Sequence, residues 1–308
     1  MASEIVPDAR QREQILDHFQ HLLSGTNVVS LAVRVRDVPT LVVGVISGAE
    51  PAAVPAMVTV EVTDSAGRKS VAELVTEVVA EGEIVTHLAQ QAVPQAPLVV
   101  RPVHGGRAIT ASNLGRGTLG VNIVYRGGYK LISCAHVLTQ YDAARIGSMI
   151  YEPAVINPAN DLVPVTAQDA VTYYTDPNQQ HPVENIMDVA TADITPALGD
   201  PEIELLGIPA GIRAPVPAHD AEVTFYGAGS GLQARQVDDF AVRYRTPGKN
   251  SAGADIYTWW RDGMRYSNAG MGSRPADSGA ALVSEHDQHV IGLHRAGSDQ
   301  WGYACKLL

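Results

Sequence analysis

Apolar residues in the first third of the chain change period, from helical spacing to runs of strand type. Ile15, Leu16, Phe19, Leu22 and Leu23 fall on one stripe of a 3.6-residue repeat. They predict a helix over 8–24 that Gly25 is placed to end. Three runs rich in β-branched residues follow, at 28–35, 41–46 and 57–62, separated by Pro, Gly and Asp. They read as strands, and 71–79 fits either period. Together these elements predict a small α+β domain over 1–95.

The stretch 90–106, QQAVPQAPLVVRPVHGG, has the proline content and mixed polarity of a linker and sets the boundary of a second domain, 96–308. Beyond it come short apolar runs at 118–125, 130–133, 223–226, 240–244, 280–283 and 290–294, with turn signals between them. No long amphipathic stretch intervenes, so this part predicts a mainly β sandwich or barrel. The 28 Gly and 19 Pro are spread along all 308 residues, which suits many short strands better than a helical bundle.

Charge narrows the partners. A formal net charge of −11 without any Lys/Arg run argues against nucleic acid and anionic membranes. The N-terminal MASEIVPDARQREQ lacks the basic and apolar regions of a signal peptide, and no apolar run nears the ~20 residues of a membrane span. With only Cys134 and Cys305, a cytoplasmic protein with free thiols is the expectation.

Three segments carry candidate chemistry. YKLISCAHV is an apolar strand that ends at His136; NIMDVATADI brings Asp188 to the start of a short apolar run; RPADSGAALV sets Ser278 in a tight turn before a strand. A serine hydroxyl needs a base to take its proton as it attacks, and imidazole titrates in the right range. A carboxylate fixes the ring's tautomer and stabilises the imidazolium. The order His136, Asp188, Ser278, at intervals of 52 and 90 residues, is that of one class of serine peptidase. Asp193 is the competing acid.

These segments resemble trypsin-like serine peptidases over about residues 105–308. LISCAHV is similar to their Leu-Thr-Ala-Ala-His segment, ADSGAAL to their Gly-Asp-Ser-Gly-Gly loop, and Met187-Asp188-Val189-Ala190 to the Val-Asp-Ala-Ala of the plant Narrow-leaf type. The resemblance is strongest to bacterial cytosolic members and to those plant relatives, which carry an N-terminal extension. It implies a chymotrypsin-like double β-barrel cleaving protein substrates through an acyl-enzyme, with no metal or organic cofactor. It also implies an oxyanion hole from the N–H groups of Ser278 and Ala276. The second position is usually Gly, and a Cβ there costs on the order of 1 kcal/mol if the turn needs a positive φ.

VIGLHRAGSDQWGYACKL resembles the strands that line the family's specificity pocket, with Gly297 on its wall. Gly272 stands where a trypsin would carry Asp, against a Lys/Arg preference. Ser273 and His294 fall where glutamyl endopeptidases bind an acidic P1 side chain, with Arg295 adding positive potential near the cleft; a packed strand histidine is the plainer reading of His294. Asp277, whose counterpart in secreted relatives pairs with a new N-terminus, has Arg274 as an internal candidate partner. TFYGAGSGL, 224–232, reads as a hairpin rather than a nucleotide loop, since no Lys-Ser/Thr follows. The rival to an enzyme is a peptidase-fold scaffold that binds proteins, with the N-terminal domain engaging a regulator or a second copy.

Overall fold

The computed structural model describes residues 7–24, 27–35, 38–46, 54–81, 83–86, 99–111, 115–267, 273–298 and 300–308. The described residues are mainly β, 51% strand to 10% helix. The first helix, α1 (Ala9–Phe19), is closed by a capping box. Asp8 Oδ1 accepts from the Gln11 N–H at 2.8 Å, and Gln11 Oε1 accepts from the Asp8 N–H at 2.9 Å. A 3₁₀ turn, Gln20–Ser24, follows; Gly25 lies outside the described residues.

Strands β1 (Val28–Val35), β2 (Pro39–Val45) and β3 (Met57–Thr63) match the predicted runs within two residues, and the ambiguous stretch is a strand, β4 (Lys69–Ala80). On β3, Val58, Val60 and Val62 are buried and the residues between them face out, so one face lies on the core that α1 supplies with Ile15, Leu16 and Phe19. Burying each such side chain stabilises by roughly 1.5–3 kcal/mol. Strand β1 serves two cores, with Val28, Leu31 and Val33 packed on the helix side and Val29 and Ala32 in the main cluster.

That double burial has a topological cause. β1 pairs antiparallel with the 19-residue strand Gly231–Lys249, Ser30 opposite Tyr244, so the N-terminal strands continue a thirteen-stranded sheet built mostly by the C-terminal part. Buried charge stitches the two parts as well. Arg243 is ion-paired to Asp17 (2.5 Å) and Glu13 (3.2 Å) of α1, and Arg265 to Glu81 and to Asp239 (2.5 Å). The long hairpin of Gly231–Lys249 and Asp255–Ser267 extends well beyond the sequence reading, which marked only 240–244.

A separate four-stranded sheet has the order Ala167–Gln168, Ala190–Asp193, Gly128–Ser133, Val121–Tyr125. These pairings do not by themselves close either sheet into a barrel. Among the described residues no helix is long and apolar enough to cross a membrane.

Candidate active site

Register places the histidine and the acid together. Gly128–Ser133 runs antiparallel to Ala190–Asp193 with Ser133 opposite Ala190. The residues just after the first strand and just before the second therefore emerge at one end of the sheet. Past Ser133 the chain makes a one-turn helix, α2 (Ala135–Leu138), which carries His136, while Asp188 precedes the partner strand. His136 Nδ1 lies 2.6 Å from Asp188 Oδ2, and the His136 N–H donates to Oδ1 at 3.1 Å. Asp193 is exposed and paired with Lys130, so it takes no part.

Asp188 is fully buried and well supplied with donors. Tyr141 donates to Oδ2 at 3.2 Å, and Arg295 Nε forms an ion pair with the same oxygen at 2.9 Å. Burial pushes the Asp188 carboxyl up, but the charge and hydrogen bonds of His136 and the charge of Arg295 outweigh it and hold it at about 2. His136 Nε2 is buried and has no hydrogen-bond partner among the described residues.

Arg295 differs from its sequence reading. It does not lend potential to an open cleft; it is fully buried beneath the acid. Its Nη2 donates to Tyr141 Oη and Thr246 Oγ1, both at 3.0 Å, and its guanidinium lies 3.6 Å from the centre of the Trp260 ring. Tyr141 and the Thr246–Thr258 pair were missed because nothing local in their sequence marks them.

Ser278 sits in a buried turn ahead of the strand Ala281–Ser284. Its hydroxyl donates to the main-chain carbonyl of Arg295 at 2.9 Å. Arg295 thus touches the acid with its side chain and the serine with its backbone. Ala276 is held at φ 86°, the left-handed region expected to strain it. Thr118 secures the turn: its N–H donates to Ser278 O (2.8 Å) and its hydroxyl to Ala276 O (2.6 Å). Among the described residues the N–H groups of Ala276 and Ser278 donate to no acceptor. Gly279 has to be glycine, with φ 99° and the site of a Cβ only 2.3 Å from both Ser133 Oγ and Thr118 O.

Asp277 corrects a second expectation. It accepts from the main-chain N–H groups of Gly229 and Ser230, both at 2.9 Å, and of Arg274 at 2.6 Å; the Arg274 contact is through the backbone. The glycine-rich 224–232 segment is the predicted hairpin, and its tip cradles this carboxylate. Burial pushes the Asp277 carboxyl above its ordinary value against the pull of those amides.

Of the residues read as a substrate pocket, Gly272 lies outside the described residues. Ser273, His294 and Gly297 are buried, and His294 bonds the Tyr266 hydroxyl through Nδ1 and stacks on Phe225. Cys134 is buried, with its thiol pushed well up by burial, which makes it inert as a nucleophile. Ligand atoms of Cys134, His136 and Asp188 lie within 4.8 Å of one another. The 2.6 Å between Nδ1 and Oδ2 is the span of a shared proton, shorter than the about 3.3 Å that two tetrahedral zinc ligands keep.

No protein-family model and no curated protein matches the chain. Among solved structures it is similar to a glutamic-acid-specific serine protease that uses a histidine triad in substrate binding. The two are 13% identical at a TM-score of 0.41, over 67% of this chain and 94% of that one. A likeness of that size leaves the chemistry to be argued from the residues.

Proposed function

We propose that the chain is a trypsin-like serine endopeptidase with a double β-barrel, in which Ser278 is the nucleophile, His136 the general acid/base and Asp188 its orienting acid. The observation that carries the reading is the His136–Asp188 pair. Nδ1 is committed to an ionised carboxylate, and Nε2 is buried without a partner among the described residues. Such a nitrogen gives up about 1–3 kcal/mol until a donor arrives, and a serine hydroxyl is that donor.

In this mechanism the Ser278 hydroxyl leaves the Arg295 carbonyl and turns to Nε2. Oγ bonds to the scissile carbonyl carbon, its proton passes to Nε2, and the carbonyl π pair moves to oxygen. The N–H groups of Ala276 and Ser278 stabilise that oxyanion, each donor being worth roughly 3 kcal/mol. Nε2 then protonates the leaving amine as the C–N bond breaks, and water repeats the sequence on the acyl-enzyme. No step calls on a metal or cofactor. The sequence positions of Ser273 and His294 motivate an acidic P1 side chain as the preferred substrate, while the burial of His294 against Phe225 and Tyr266 favours the plainer packed reading. The setting is cytoplasmic, with the N-terminal region as an accessory element for a regulator or a second copy.

Ala276 at φ 86° and the Ser278 hydroxyl bound away from His136 favour the rival reading, a protein-binding scaffold. Digestion of a peptide library, read by mass spectrometry, separates the two. Cleavage after Glu or Asp that vanishes in Ser278→Ala supports the proposal, cleavage after bulky apolar residues removes the acidic preference, and peptide binding without cleavage supports the scaffold.

A further inference from the structure

One edge of the strand His289–Gly297 is used three times in succession. His294 N–H donates to Ala280 O and His294 O accepts from Gly279 N–H, both at 2.8 Å, which are the last rungs toward the Ser278 turn. Arg295 O then accepts the Ser278 hydroxyl. Immediately beyond, Ala296 pairs with Thr86 and Gly297 with Val85, antiparallel. The opposite edge at these residues is taken by Tyr303 and Gly302. The rungs nearest Ser278 are therefore filled by a segment from the N-terminal part of the chain.

That segment is anchored just before the pairing. Glu81 is buried, accepts from Ser30 Oγ at 2.6 Å and Tyr303 Oη at 2.8 Å, and is ion-paired to Arg265. Ile84 is fully buried in the main core, whereas Val85 is 39% exposed. The anchor is apolar and ionic; the contact with the strand edge is backbone.

We infer that Val85–Thr86 is an internal competitor for an extended peptide substrate along the Ala296–Gly297 edge. The inference rests on the peptidase reading and adds a regulator to that site. Two observations carry it. Extended peptides bind proteins by adding a strand to a sheet edge, and this edge is continuous with the hydrogen bond that holds Ser278. The direction also fits. Antiparallel pairing sends the chain from Val85 to Thr86 toward Arg295 and Ser278, as the acyl half of a substrate must run to bring its carbonyl to the serine. A tethered segment competes at an effective concentration on the order of millimolar, so a peptide docks only while Val85–Thr86 is detached.

Two phosphonates of different reach test this on the full chain. A small alkyl fluorophosphonate needs only Ser278 and His136, whereas a peptidyl diphenyl phosphonate also needs the edge. Val85→Pro with Thr86→Pro removes ladder donors and leaves Glu81 and Ile84 in place. The expected result is about tenfold faster labelling by the peptidyl probe, the equivalent of two weak hydrogen bonds, with the small probe changed less than about twofold. Where the proline pair melts below the assay temperature, Val85→Gly with Thr86→Gly gives the same order with a smaller factor. An unchanged or slower peptidyl rate in a folded variant overturns the competitor. Wild-type protein that neither probe labels counts against the peptidase reading alone. A fluorescein-labelled peptide copying residues 81–86 then decides the competition at the edge: polarisation that rises with the proline variant and not with wild type upholds it, and equal or absent binding to both overturns it.

Discussion

The two halves of the candidate site each bury a carboxylate, and they support it by opposite means. Asp188 faces a ring donor, His136 at 2.6 Å, and a full charge, the Arg295 guanidinium at 2.9 Å, and is held at about 2. Asp277 is held by backbone N–H groups of Gly229, Ser230 and Arg274, and burial pushes it up. A full charge nearby repays desolvation better than amide dipoles do. The difference separates their tasks. In the proposed mechanism the Asp188 half serves proton transfer, while the Ser278 turn is an architectural device that strains Ala276 and parks the hydroxyl on Arg295 O.

The sharpest way to break this contrast is Asp188→Asn, which keeps the volume and removes the charge. The tautomer of His136 is then no longer fixed, and fluorophosphonate labelling should slow by about 10⁴-fold in a protein whose circular dichroism is unchanged. A loss below tenfold would mean that the acid half is not the organised one.

Arg295 sharpens the same half. Its charge offsets that of Asp188 and so weakens the carboxylate's stabilisation of imidazolium. In Arg295→Gln the buried Asp188 loses one of the charges that hold its carboxyl down, so acid unfolding, followed by circular dichroism, should begin at a higher pH than in wild type. Arg295→Lys keeps the charge and should stay near wild type, whereas equal behaviour of the two variants would assign Arg295 to packing alone.

Ala276→Gly probes the other half and carries the smallest effect. Relief of the φ 86° strain should raise stability by about 1 kcal/mol in denaturant melts and speed labelling slightly. Destabilisation would show that Ala276 packing outweighs its backbone strain.

What the sequence revealed follows the same division. The strand ends that carry His136, Asp188 and Ser278 were legible because local period and turn residues mark them, and the capped helix with strands β1–β3 was legible for the same reason. The supports were not. Tyr141, Thr246 and Trp260 reach Arg295 across long sequence separations, and the Asp277 cradle is made of main-chain N–H groups that carry no residue signature. The pairing of β1 with Gly231–Lys249 was hidden because a strand's own sequence does not name a partner some two hundred residues away. Arg295 misled because a charged residue in a strand reads as exposed, yet here it is solvated internally by an acid, hydroxyls and a ring.

The most direct test of the account is mass-spectrometric mapping of the adduct formed by an alkyl fluorophosphonate on the folded full-length protein. The account predicts a single adduct on Ser278, absent in Ser278→Ala and in His136→Ala. Folded protein without that adduct, or an adduct that survives Ser278→Ala, would contradict it.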